Sequence, residues 1–173
     1  VLQGLFTFHQ NISDHCKARD LAQELLGLAD RSGDPALLLQ AHVAAGASAF
    51  WRGELGTARA HLEEAFALYE PERHRTQESR RGGTDPGVIA LGYLGLVLTT
   101  LGYADQGRAR VQEALKLARE LSHPLSIAFA LGWVGWDHLN AEEAQRGRDQ
   151  SEALTALATE HGFPRYLVFG TFL

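Results

Sequence analysis

Four of the chain's five prolines stand at the head of the same local pattern, and this recurrence limits the possible folds more than any other feature. Pro35, Pro86, Pro124 and Pro164 each open an apolar run rich in small residues: LLLQAHVAAGASAF, GVIALGYLGLVLTTLG, LSIAFALGWVGW and RYLVFGTFL. The three spacings are 51, 38 and 40 residues. A proline at the first helical position has its φ already set, and its missing N–H had no helical partner to lose. Asp34 and Asp85, immediately before two of these prolines, can cap the first turn; His123 and Phe163 hold that place less well. After each complete run comes a break and a more polar helix: TARAHLEEAFALY, ADQGRARVQEALKLAREL and AEEAQRGRDQSEALTALATEH, with SDHCKARDLAQELLGLAD as an earlier example. The repeating unit is therefore a helical hairpin, and a period of this length means stacked units.

The polar helices have a 3.6-residue apolar period. Ala58, Leu62, Ala65 and Leu68 form one stripe; Val111, Ala114, Leu115 and Ala118 form another; Leu21, Leu25 and Leu28 mark the first. Their opposite faces carry Arg59, Glu63, Glu113, Lys116 and Glu120, as expected of outer helices with one solvated side. Small and turn residues repeat in register at Gly46, Gly53 and Ala58, then at Gly95, Gly102 and Gly107, and more loosely at Gly135, Glu142 and Gly147. Small residues in these places let paired helices approach closely.

On these residues the chain resembles the tetratricopeptide repeat, with units nearer 40 residues than the usual ~34. The flanking pattern ALYEPERHR followed by DPGVIALGYLG, with LGYADQ and ATEHGFP further on, resembles the repeat region of large bacterial regulators. Such regulators join a nucleotide cyclase or DNA-binding module to an ATPase domain and a repeat tail. The resemblance implies an all-α, right-handed α-α superhelix of about four hairpins, acting as a sensor or scaffold segment in the cytoplasm. The expected divisions are 1–33, 34–72, 85–122, 123–162 and a partial unit 163–173, with an inserted loop at 71–85. The chain has no methionine and its last residues are apolar, so a fragment of a longer array is expected, and the C-terminal edge is a candidate for oligomerisation.

Composition narrows the function. The net charge is −5 with no basic face, which argues against binding to a phosphate backbone. No apolar run reaches the ~18–20 residues of a membrane helix. Cys16 is the only cysteine and cannot form an internal disulfide. Eight histidines show no HExxH spacing, and no phosphate loop or dinucleotide fingerprint is present, so no metal, cofactor or catalytic residue is assigned. Asp14, His15 and Cys16 are adjacent, but neighbours on a helix do not face each other, and Asp14 reads as a cap. The pairs Glu63–Glu64 and Glu142–Glu143 read as solvated faces. Arg73, Arg75, Arg80 and Arg81 form a possible anion-binding loop, offset by Glu70, Glu72, Glu78 and Asp85.

The remaining candidate is the concave surface that inner helices line in a stacked array. It is expected to receive Gln40, Val43, Ala47, Phe50, Trp51, Ile89, Tyr93, Leu96, Thr100, Phe129, Trp133, Trp136 and Asn140. Aromatic anchors with almost no Lys or Arg suit an apolar helix or peptide, supplied by another protein or by another domain of the parent chain. The alternative is a small-molecule effector held by Trp51, Tyr93, Trp133 and Trp136. An enzyme built on Cys16 or a histidine is the third reading.

Overall fold

The computed structural model of the chain describes residues 1–71, 83–141 and 143–172, with the side chain of residue 140 left aside. Among the described residues there are nine α-helices and no strand: α1 (Leu2–Asn11), α2 (His15–Ser32), α3 (Pro35–Trp51), α4 (Leu55–Ala67), α5 (Pro86–Thr100), α6 (Ala104–Glu120), α7 (Pro124–Asn140), α8 (Ala144–His161) and α9 (Pro164–Phe172). No helix among them is long and apolar enough to cross a membrane.

The helix starts follow from local chemistry. Asp14 accepts the Lys17 N–H at 3.1 Å, and Asp34 accepts the Ala36 N–H at 2.9 Å. Asp85 accepts from both Gly87 and Val88, at 2.9 and 3.1 Å. Each satisfies a donor that the first helical turn leaves open. His123 caps nothing; its Nδ1 lies 2.8 Å from the Ser126 hydroxyl. Two outer helices end on left-handed glycines, Gly33 at φ 62° and Gly162 at φ 68°, where a side chain would be strained.

Packing makes the array a solenoid. Each outer helix (α2, α4, α6, α8) packs on the inner helix before it and on the inner helix after it. The inner helices α3, α5, α7 and α9 touch one another in series. A helix enclosed in this way needs no polar face, and α5 is buried along nearly its whole length. The outer helices bury only a stripe, which in α4 is Ala58, Leu62 and Ala65. In α2 the buried stripe is Ala18, Leu21, Ala22 and Ala29. Leu28, expected on that stripe, is instead 41% exposed, because close approach to α3 selects alanines over the larger side chain.

The in-register small residues are contact points. A Cβ on Gly46 would lie 3.3 Å from the Ala58 carbonyl oxygen. Gly95 and Gly107 face each other: a Cβ on the first would meet the Gly107 oxygen at 2.8 Å, and one on the second the Gly95 oxygen at 2.6 Å. Two apolar clusters result, one over α1 to α5 and one over α5 to α8, and Phe66, Phe129 and Trp133 pack against both. A buried polar junction ties the third hairpin to its neighbours. Tyr69 donates to Asp85 at 3.0 Å, and the Asp85 N–H donates to the Ser126 hydroxyl at 2.9 Å.

Candidate functional site

The inner helices enclose one large concavity of about 1080 Å³. Its walls are Leu2, Phe6 and Gln10 of α1, Gln40, Val43 and Ala47 of α3, and Ile89 and Tyr93 of α5. Leu125 and Phe129 of α7, and Arg165 and Tyr166 of α9, complete it. The two ends of the array meet there: Arg165 Nη1 donates to Asn11 Oδ1 at 2.7 Å, joining α9 to α1 across 154 residues of sequence. The trough is thus bounded by its first and last helices as well as by the middle ones.

The structure distributes the sequence-derived candidates over three settings. Gln40, Tyr93 and Phe129, with Val43, Ala47 and Ile89, line the cavity. Phe50 and Trp133 stand behind it in a continuous aromatic cluster. Ring centroids are 5.7 Å apart for Phe50–Tyr93, 5.6 Å for Tyr93–Trp133, 5.7 Å for Phe129–Trp133 and 6.0 Å for Trp133–Phe169. Gly92 makes room for it, since a Cβ there would lie 2.9 Å from both Phe129 and Trp133. Leu96 is buried in the same core. Trp51, Trp136 and Thr100 are exposed and outside the lining. Trp51 donates to the Tyr93 hydroxyl at 3.1 Å and stacks on His15; Trp136 stacks on Phe172; Thr100 donates to the Leu96 carbonyl of its own helix at 2.8 Å. Asn140 closes α7, and its side chain lies outside the described residues, as do Arg73, Arg75, Arg80 and Arg81 of the suggested anion loop.

Sequence reasoning missed the end walls. Gln3, Thr7, Gln10 and Asn11 form a polar stripe at helical spacing on α1, and all line the cavity. Arg165 and Tyr166 follow a proline in the same inner-helix pattern as the other units. That pattern, applied to the partial unit, would have placed them on the concave side.

The electrostatics of the cavity are simple. Arg165 is the one charged side chain among the described lining residues. Burial pushes the Tyr93 and Tyr166 phenols up from their ordinary value, so both remain neutral hydrogen-bonding groups at physiological pH. Elsewhere, the arrangement offers little chemistry. His15 packs on Trp51 while Cys16 is exposed and free, so the two do not cooperate. Glu63 pairs with Arg59 at 2.8 Å, and Glu143 bonds to His138 and Arg146 at 2.9 Å each; Glu142 lies outside the described residues. Among the described residues no group of three or more His, Cys, Asp or Glu could hold a metal ion.

No protein-family model matches the chain, and no curated protein matches its sequence. Its fold is similar to that of the crystal structure of the Signal Transduction ATPase with Numerous Domains (STAND) protein with a tetratricopeptide repeat sensor from Pyrococcus horikoshii. The TM-score is 0.58 with 14% identity, over 98% of this chain and 26% of that chain. The likeness shows an all-α, tetratricopeptide-like solenoid. This chain spans about a quarter of the length of that protein.

Proposed function

We propose that this chain is a non-enzymatic sensor segment of a larger regulatory protein, and that it takes a compact, largely apolar ligand into the cavity between its two end helices. One observation carries the reading: a cavity of about 1080 Å³ closed at one side by the Arg165–Asn11 bond. That volume is at the upper end of small-molecule sites, about 300–1000 Å³. A helix about 10 Å across would fill it in roughly nine residues. An occupant running further past the bridge would have to break it. The similar fold in a protein described as carrying a tetratricopeptide repeat sensor supports the same class of role.

The mechanism follows from the architecture. Packing couples each hairpin mainly to its neighbours, and the exposed Arg165–Asn11 bond joins the two ends. A ligand touching α1, α5 and α9 together strengthens that link across the ends. Occupancy then changes curvature, and the attached domains read the change.

The test is binding of a neutral solvatochromic dye such as Nile red, with Ile89→Trp as the cavity-filling variant. Saturable one-to-one binding, with a thermal shift by mass action, is expected for the wild type and is lost in the variant. Dye binding indifferent to Ile89→Trp overturns the reading. A second reading, a peptide held on the outer rim, is favoured by Trp51 and Trp136, exposed at 47% and 36%. Capture of a peptide lost on Trp136→Ala but retained in Ile89→Trp would put that reading in its place.

A further inference from the structure

Building on the cavity reading above, we propose that the ligand is a monocarboxylate with an apolar body, its carboxylate held by Arg165 at the α9 end and its body lying against Phe6, Val43, Ile89 and Phe129.

Three observations converge on this chemistry. The first is charge. The described lining contains one guanidinium and no carboxylate. Arg19, Arg52, Arg59, Arg108, Arg110 and Arg146 each pair with an acidic side chain. Arg165, like Arg148 with Gln145, bonds instead to a neutral amide oxygen, that of Asn11, and it is the arginine that lines the cavity. A guanidinium has five N–H donors in a planar fork that fits a carboxylate, so the Asn11 bond uses one donor of several. The second is helix polarity. Leu125 and Pro164, in the first turns of α7 and α9, line this same end of the cavity. Asp34 and Asp85 offset the positive ends of α3 and α5, whereas no side chain caps α7. The uncapped end adds to the attraction for an anion. The third is the remainder of the wall. Tyr93 and Tyr166 keep their phenol protons, and the other polar groups of α1 are amides and a hydroxyl, Gln3, Gln10, Asn11 and Thr7. Among the described lining residues no second charged side chain stands beside Arg165 to compensate another negative charge, which disfavours dicarboxylates, and no side chain offers a counter-charge to an amine.

The experiment compares three probes of one chain length on the intact 173-residue chain by calorimetric titration below their micelle-forming concentrations: decanoate, decanol and decylammonium. Decanoate is expected to bind at least about tenfold more tightly than decanol, since a hydrogen bond to a charged group exceeds a neutral one by that order. Decylammonium is expected to bind more weakly than decanol. The carboxylate preference should shrink with added salt, because Arg165 is exposed to solvent. Arg165→Gln should bring decanoate to within about threefold of decanol; the ratio of the two affinities is the readout, because loss of the Asn11 bond acts on both probes alike. Arg165→Lys should retain part of the preference. Equal or tighter binding of decanol in the wild type, or a preference that survives Arg165→Gln, overturns this inference and leaves the cavity reading standing. If none of the three probes binds and the neutral dye also fails to bind, the cavity reading itself has failed.

Discussion

Gly107→Ala is the most direct probe of how this array is held together. The Cβ it adds would lie 2.6 Å from the Gly95 carbonyl oxygen and 2.9 Å from the Thr99 backbone nitrogen. Ordinary carbon–oxygen approaches stop at about 3.3 Å, so α5 and α6 would have to part by about 0.7 Å. The Thr99 hydroxyl also obstructs and can turn away, but these two atoms belong to the backbone, and no rotamer change relieves them. Overpacking of this kind costs about 1–3 kcal/mol, and a helical alanine returns about 1 kcal/mol over glycine. The expected net loss is up to about 2 kcal/mol, a fall in Tm of up to about 8 °C for a chain of this size. Gly27→Ala is the control. It sits inside α2 with only the flexible end of Arg31 near its Cβ position, at 3.4 Å, so the propensity gain of about 0.5–1 kcal/mol should emerge undiminished. Urea titration followed by far-ultraviolet circular dichroism measures both. The pair Gly95→Ala and Gly107→Ala should combine to less than the sum of the singles, because parting the helices once relieves both contacts. If Gly107→Ala proves as stable as Gly27→Ala, the close α5–α6 approach is not a determinant of the fold.

Asp85→Ala removes the α5 cap and leaves the Tyr69 hydroxyl without this acceptor, for an expected loss of about 2–4 kcal/mol. Asp85→Asn should recover part of the loss, since asparagine also caps; urea midpoints read both. His61 lies with its Nδ1 3.1 Å from that of His42, and burial, then the His42 charge, hold its pKa below the ordinary 6.5. The unfolded chain therefore binds the proton first, and stability falls as pH drops through about 6.5 toward the lower folded value. His61→Gln should flatten the stability profile between about pH 7 and pH 5; an unchanged slope would show that His61 does not link protonation to folding.

The parts of the fold that were legible are those written in short windows. A proline after a capping aspartate marks a helix start whatever surrounds it, and α3 and α5 begin there. Small residues repeating in register signal close helix contacts, and Gly95 and Gly107 meet. The α2 stripe was misjudged because its buried residues are mostly alanines, which carry a weak apolar signal, while the more conspicuous Leu28 faces solvent. The distribution of the aromatics was legible only in part. Inner helices are apolar on nearly every side, so periodicity cannot separate a residue facing the trough, such as Phe129, from one set behind it, such as Trp133. The end walls lay deeper still. The Arg165–Asn11 contact spans 154 residues and exists only because the per-hairpin rotations add up to bring α9 round to α1. Those rotations depend on the shape of each hairpin, which is set where its two helices touch, at contacts such as Gly95 on Gly107 and Gly46 on Ala58. The small residues that give the repeat its signature therefore also set the dimensions of the cavity. A substitution that parts α5 from α6 should weaken ligand binding as well as stability, although it touches neither Arg165 nor any residue of the α1 wall.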